Sequence, residues 1–128
     1  MIQAYFAQIK AAIDRYAVAN FVLDTALSFE TRPGSQGYLH GFVMFVDGSR
    51  FFFREYLDVS ANQVDKLMYA YHYQGVDDTL IFRYDNAQHK PKLPFLDHKH
   101  IADNEIVQAQ GPTLHAVLTE IAERQNWI

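Results

Sequence analysis

The sequence contains no cysteine among its 128 residues. This absence excludes disulfide bonds, thiolate metal sites and cysteine nucleophiles, and it is compatible with a cytoplasmic location. No apolar run approaches the roughly 18 residues that a membrane-spanning helix needs. Polar residues interrupt the N-terminal segment, so we do not expect a signal peptide. A phosphate loop, a Rossmann glycine pattern and a nucleophile elbow are also missing, so neither nucleotide cofactors nor serine hydrolase chemistry is predicted.

Positive charge is scarce as well. The chain has 11 Lys and Arg against 15 Asp and Glu, a formal net charge of −4. Non-specific binding of nucleic acid through the whole surface is therefore not expected. Hydrophobic residues make up 49 % of the chain and aromatic residues 15 %, enough to build one core and to exclude disorder. We expect a single cytoplasmic α+β domain over residues 1–128.

Apolar periodicity predicts a helix near each end of the chain. Within residues 2–20, apolar side chains recur at helical spacing from Ile2 to Ala17. Near the other end, Gly111-Pro112-Thr113 predicts the start of a second helix. Its expected buried stripe consists of Leu114, Val117, Leu118, Ile121 and Ala122.

The middle of the chain predicts an antiparallel sheet of about five strands, with both helices packed on one face. We expect a strand over residues 21–29 and the four strands of two hairpins, and residues 106–109 are a candidate for one further short strand. A linker or bulged edge is expected at 59–66. A two-residue turn at Asp47-Gly48 would place His40 opposite Glu55, either as a base and its orienting carboxylate or as a surface pair.

The second predicted hairpin turns at Val76-Asp77 and pairs Tyr71 with Phe82. One of its faces would be aromatic, a pattern typical of a core or a partner interface and, less commonly, of base stacking. The other face would carry His72, Arg83 and charged neighbours.

The densest polar chemistry lies in residues 82–100, which hold three of the six histidines. In an extended segment His98 and His100 point the same way. They then belong to a solvated loop, to an acid/base pair at a phosphate, or to a metal site completed by Asp85, Asp97 or His89.

Arg83 stands in an otherwise apolar strand, where a guanidinium needs a partner. Asp85 lies on the same face, so Arg83 forms either a structural ion pair or a phosphate clamp. The chain then returns through two prolines, Pro91 and Pro94, which stiffen the segment. We therefore predict that His98 or His100 lies close to Arg83, Asp85 or His72.

Four sequence blocks resemble the TumE-type family of small toxin–antitoxin proteins. They are DGSRFFFREY at 47–56, YAYHY at 69–73, FRYDNAQH at 82–89 and DHKH at 97–100. The resemblance spans about residues 37–121, with Gln88 where the family motif has proline. It implies a cytoplasmic toxin, a helix-turn-helix antitoxin and RNA as the target. The site residues that it suggests are Glu55, His72, Arg83, Asp85, His89, His98 and His100.

The leading interpretation is a toxin that acts on RNA as a metal-independent ribonuclease with no cofactor. Such chemistry needs a base, an acid and a cation on the phosphate. The predicted catalytic residues are His98, His100, Arg83, Asp85, His72 and Glu55, and the predicted phosphate or RNA contacts are Lys99, His89 and Asn86. Two alternatives are a non-enzymatic protein-binding module and a metal-dependent hydrolase built on the histidines and acids. The expected partners are the antitoxin, RNA and, as one alternative, a second copy of the chain, but no membrane.

Overall fold

A computed structural model describes residues 1–88 and 93–128 of the protein. His89 and Pro91, both part of the sequence predictions, lie outside the described residues. The elements in chain order are α1 Ile2–Ala17, β1 Val22–Thr31, β2 Gln36–Phe45, β3 Arg50–Ser60, β4 Gln63–Gln74, β5 Leu80–Asp85, β6 His98–Ile101, a 3-10 turn Ala102–Asn104, β7 Glu105–Gln108 and α2 Leu114–Arg124.

The strands form one antiparallel sheet in the order β1 to β7, so each strand pairs with its neighbours in the chain. The α+β class and the antiparallel sheet are confirmed, but seven described strands replace the predicted five. One reason is that the histidine-rich segment is itself a strand, β6. In addition, the linker expected at 59–66 is a tight turn at Ala61 and Asn62, whose φ angles of 51° and 61° suit a two-residue hairpin loop.

The predicted register of the β2–β3 hairpin is wrong by one residue. The loop has three residues, Val46 to Gly48, because the Phe45 amide donates to the Ser49 carbonyl at 3.0 Å. Gly48 adopts a φ of 86°, as the last position of such loops requires. His40 therefore faces Arg54, and Glu55 faces Leu39 on the opposite side of the sheet. The proposed pair of His40 and Glu55 does not exist.

The second hairpin keeps its predicted faces but shifts by two residues. Tyr71 pairs with Tyr84, and His72 pairs with Arg83. A shift of two leaves every side chain on its own face, since side chains alternate with a period of two. The aromatic face is confirmed, and the observed pairing places the imidazole of His72 opposite the guanidinium of Arg83.

Both helices bury their apolar stripes in one core against the same face of the sheet. α1 contributes Phe6, Ile9 and Ile13, and all five predicted residues of α2 are buried. The Thr113 hydroxyl accepts a hydrogen bond from the Ala116 amide and caps α2. We call this side of the sheet the covered face. The other side, the open face, leaves His40, Phe52 and Arg54 exposed to solvent.

Candidate functional site

Four polar side chains meet on the open face where β5 and β6 pair. Arg83 lies opposite His100, and Asp85 lies opposite His98. Directly opposed residues of an antiparallel pair point to the same face, so the pairing brings all four together. We call Arg83, Asp85, His98 and His100 the open-face cluster. The prediction that a histidine of residues 98–100 lies near Arg83 or Asp85 is confirmed.

Asp85 lies at the centre of the open-face cluster. One of its carboxylate oxygens is 2.8 Å from His98 Nε2, and the other is 3.3 Å from His100 Nε2. Arg83 Nε donates to the second oxygen at 2.9 Å, and the Ala87 amide donates to the first at 3.0 Å. The two imidazoles also face each other, with their Nε2 atoms 3.1 Å apart. Arg83 thus forms the predicted ion pair with Asp85, and its alternative role as a phosphate clamp stays a prediction.

The two histidines differ in their access to solvent. His98 has no exposed side-chain area, whereas the side chains of His100 and Arg83 are 19 % and 29 % exposed. His98 Nδ1 lies 2.6 Å from the Leu96 carbonyl oxygen. That oxygen only accepts hydrogen bonds, so Nδ1 carries a hydrogen and donates it. His98 is thus held in place, and His100 and Arg83 are more accessible to solvent than His98.

The surroundings of Asp85 favour its ionised form. Burial alone would raise the pKa of this carboxyl, but the hydrogen bonds from Arg83 and Ala87, with the positive charge near them, outweigh burial and lower the pKa below its usual value. The lowered pKa makes Asp85 a carboxylate at neutral pH.

This shift predicts a dependence of stability on pH. An aspartate with a folded-state pKa below the unfolded value of about 3.9 stabilises the fold above that pH, and the contribution is lost as pH falls through the folded value. We expect the difference in free energy of unfolding between the parent and Asp85→Asn to be largest above about pH 4 and to shrink below it. Urea denaturation at several pH values measures this difference, and a constant difference would contradict the assignment.

His72 extends the open-face cluster from the neighbouring strand β4. Its Nδ1 accepts from Arg83 Nη1 at 3.2 Å, and its Nε2 lies 2.9 Å from Gln74 Oε1. Burial, helped by the positive charge of Arg83, lowers the pKa of His72 even though the Gln74 hydrogen bond opposes the shift. A neutral His72 therefore holds Arg83 from one side while Asp85 holds it from the other.

A solvent-filled trough of about 410 Å³ crosses the open face beside Arg83. It begins at Tyr38 and His40 on β2, passes Arg54 on β3, and ends at His72 and Arg83. Apart from Gly41 and Phe53, its lining residues alternate along each strand, so the correct hairpin register would have identified most of them from the sequence. The sequence interpretation missed Arg54 because it placed the register one residue out, and it overlooked Tyr38, which shares the face of His40 by strand alternation alone.

Stacked aromatic rings lie at the far end of this trough. The rings of Tyr38 and Tyr56 stack with their centroids 4.3 Å apart, and His40 stacks on Tyr38 at 5.1 Å. The guanidinium of Arg32 lies 5.6 Å from the centre of the Tyr38 ring. By contrast, Tyr71 is fully buried in the core, so the tyrosines of the YAYHY block do not offer a stacking surface.

Glu55 does not belong to the open-face cluster. It is fully buried on the covered face, where it accepts hydrogen bonds from the hydroxyls of Tyr5 and Tyr71. Burial, followed by the charge of Glu55, raises the pKa of both tyrosines. The ammonium of Lys66 donates to the Tyr71 hydroxyl at 2.8 Å, and burial lowers the pKa of Lys66 although Glu55 opposes the shift. We call Tyr5, Glu55, Lys66 and Tyr71 the covered-face network.

Lys99 and Asn86 both make contacts outside the open-face cluster. Lys99 is on the covered face, where its ammonium contacts Glu120 of α2 at 2.7 Å. Asn86 bridges backbone groups, accepting from the Tyr69 amide at 3.1 Å and donating to the Leu67 carbonyl at 3.2 Å. The structure therefore gives both residues structural contacts, and Lys99 projects from the opposite side of β6 to its two histidine neighbours.

Comparison with known proteins gives a match to one family model. Neither the curated proteins nor the solved structures yield a significant match. Within the described ranges, no helix has the length and apolar character needed to cross a membrane. The family model described as "Toxin TumE" matches residues 9–125. The chain therefore belongs to the TumE toxin family and is the toxin of a toxin–antitoxin pair, with an antitoxin as its partner.

Proposed function

We propose that the toxin acts by cleaving RNA at the open-face cluster. The observation that supports this proposal is the position of Arg83. Its partly exposed guanidinium lies beside the Asp85 carboxylate and two imidazoles, at the end of the trough on the open face. Phosphodiester cleavage needs a cation on the phosphate and a group that activates the attacking oxygen. The open-face cluster combines both within one strand pair.

In the proposed reaction, the 2′-oxygen of the RNA forms a bond to the adjacent phosphorus, and the bond from phosphorus to the 5′-oxygen breaks. The proton of the 2′-hydroxyl passes to the open-face cluster, and the departing 5′-oxygen takes a proton from water. Arg83 contacts the phosphate with a guanidinium that Asp85 and His72 hold in place. His100 is the imidazole nearest to the substrate, and buried His98 is a positioning residue.

The trough gives the RNA its path to the open-face cluster. Single-stranded nucleic acid binds surfaces that combine stacking platforms with positive charge along the backbone. Tyr38 and Tyr56 supply the platform, while Arg32, Arg54 and Arg83 supply local positive charge on a chain with net charge −4. This arrangement fits a single-stranded RNA substrate with one base on the tyrosines and the next phosphates near Arg83.

A pair of matched substitutions tests this placement. We expect Arg83→Met to reduce cleavage of a fluorescent single-stranded RNA at least about 100-fold, the usual loss when a transition-state electrostatic contact is removed. The control, Lys99→Met, also removes one positive charge, but from the covered face and 16 positions further along the chain. This variant should keep the activity of the parent per folded molecule. Equal activity of Arg83→Met and the parent, or a selective loss in Lys99→Met, would refute the placement.

The identity of the antitoxin is part of the proposal. We expect a helix-turn-helix protein, as the family resemblance implies, that blocks the trough and so stops toxicity.

The alternative of a non-enzymatic module with an aromatic docking face loses its support, because that face is the buried core. A homodimer stays a prediction, and light scattering of the purified chain tests it.

A further inference from the structure

We propose that Asp85, His98 and His100 bind a divalent transition-metal ion of the zinc type. The inference deepens the proposed function, on which it rests for the role of the ion, although ion binding itself is testable without RNA. The sequence interpretation expected no cofactor and kept a metal site only as an alternative. The geometry of the three side chains favours that alternative.

The spacing of the donor atoms matches a coordination site. The Nε2 atoms of His98 and His100 are 3.1 Å apart, and they lie 2.8 Å and 3.3 Å from the nearest oxygens of Asp85. Ligands bound to zinc at about 2.0 to 2.2 Å lie about 3.0 to 3.5 Å from one another in tetrahedral or octahedral geometry. A single ion can therefore bond to all three side chains with little rearrangement.

The hydrogen bonding of His98 fixes which of its ring nitrogens faces the other two ligands. Its Nδ1 donates to the Leu96 carbonyl, so in the neutral imidazole Nε2 carries a lone pair. This lone pair points to Asp85, whose nearest oxygen lies 2.8 Å from Nε2, so one metal ion can bond to both groups.

The groups around the three ligands are those of a metal centre. Ligating histidines usually donate their second N–H to a backbone carbonyl or a carboxylate, and ligating carboxylates accept hydrogen bonds from neighbours. His98 meets the first condition through Leu96, and Asp85 meets the second through Arg83 and Ala87. Two imidazoles with one carboxylate favour zinc, iron, cobalt or nickel over magnesium and calcium, which prefer oxygen ligands.

Three protein ligands leave a coordination position for the chemistry. His100 and Arg83 are the exposed members of the open-face cluster, so the remaining position would face solvent and the trough. A bound water there loses a proton near neutral pH. The resulting hydroxide would accept the 2′-proton of the RNA and become water again, while Arg83 contacts the phosphate.

Direct binding measurements test the metal site. Protein stripped with a chelator should bind one equivalent of Zn²⁺ in calorimetry, and Co²⁺ should give the visible absorption of a histidine-ligated ion. We expect Asp85→Asn, His98→Ala and His100→Gln each to weaken Zn²⁺ binding at least about 100-fold. His115→Ala, an exposed histidine on α2, is the matched control and should bind as the parent does.

The outcomes separate this inference from the proposed function. No Zn²⁺ or Co²⁺ binding by the stripped parent, or equal binding by the parent and His100→Gln, would overturn the metal site. RNA cleavage that continues unchanged in chelator would then support the ribonuclease without a metal. Stoichiometric metal binding by a chain that leaves RNA intact would support the metal site and refute the ribonuclease.

Discussion

Replacing both histidines of the open-face cluster, His98→Ala/His100→Ala, is expected to abolish growth arrest and to reduce RNA cleavage at least about 1000-fold. Proton transfer and metal activation at a reacting oxygen each contribute factors of this order. The double variant removes both imidazoles that contact Asp85, so either chemistry is lost. Plating efficiency after induction measures toxicity, and gel analysis of a defined RNA measures cleavage.

The histidine experiment needs a check on folding, because His98 is fully buried. His100→Gln provides that check, since His100 is partly exposed and its loss leaves less empty space. Circular dichroism and thermal melting should show a native fold for His100→Gln, and His115→Ala should stay fully toxic. A double variant that is as folded, as toxic and as active on RNA as the parent would disprove the assignment of the histidines.

The largest effect on stability is expected from the covered-face network. Glu55→Ala should lower the free energy of unfolding by about 3 to 5 kcal/mol, as when one member of a buried charged network is removed. The substitution leaves the Tyr5 and Tyr71 hydroxyls without their common acceptor, and it removes one of the two carboxylates, Glu55 and Asp97, whose charge favours the ammonium of Lys66. Urea denaturation measures the change.

Two matched variants define the cause of the expected loss. Glu55→Gln keeps an oxygen that accepts from a tyrosine, so it should cost less than Glu55→Ala. Glu105→Ala removes an exposed carboxylate at the start of β7 and should change stability by no more than about 0.5 kcal/mol. Because Glu55 lies on the covered face, folded Glu55→Gln should cleave RNA as the parent does. A folded but inactive Glu55→Gln would place the covered-face network in the reaction.

Residues in the second hairpin show what periodicity alone can predict. The alternation of Tyr69, Tyr71 and Tyr73 with His72 predicted both faces correctly, although the pairing was out by two. Hydrophobic burial depends only on the alternating pattern, and a shift of two preserves it. Arg83, Asp85, His98 and His100 could therefore be grouped from the sequence, since all four occupy the polar positions of adjacent extended segments.

The first hairpin shows where this reasoning fails. Asp47-Gly48 is a common two-residue turn, but here Gly48 ends a three-residue loop with its φ at 86°. One additional loop residue reverses the relative faces of β2 and β3. Glu55 thereby moved from a predicted catalytic pair to the buried network, and Arg54 was missed. Local sequence preferences of the two loop types overlap, and only the packing of Leu39 and Glu55 against the helices decides between them.

The side of the strand separates Lys99 from the two histidines beside it. A basic residue between two histidines was predicted to contact phosphate, but alternate residues of a strand point to opposite faces. Lys99 instead packs over the rings of Phe82 and Tyr84 and pairs with Glu120. Burial alone would lower the pKa of Lys99, and the contacts with Glu120 and Tyr84 outweigh burial and raise it. The contact with α2 depends on tertiary packing that strand periodicity does not reveal.

Photo-crosslinking tests most directly the central claim that RNA meets this toxin on the open face. A single-stranded RNA with photoreactive thiouridine is bound to the purified chain, irradiated and digested, and the linked peptides are identified by mass spectrometry. The account predicts crosslinks at Tyr38, Tyr56 and the segment around His100, and their loss in Arg83→Met. Crosslinks confined to α1 and α2 on the covered face, unchanged in Arg83→Met, would contradict it.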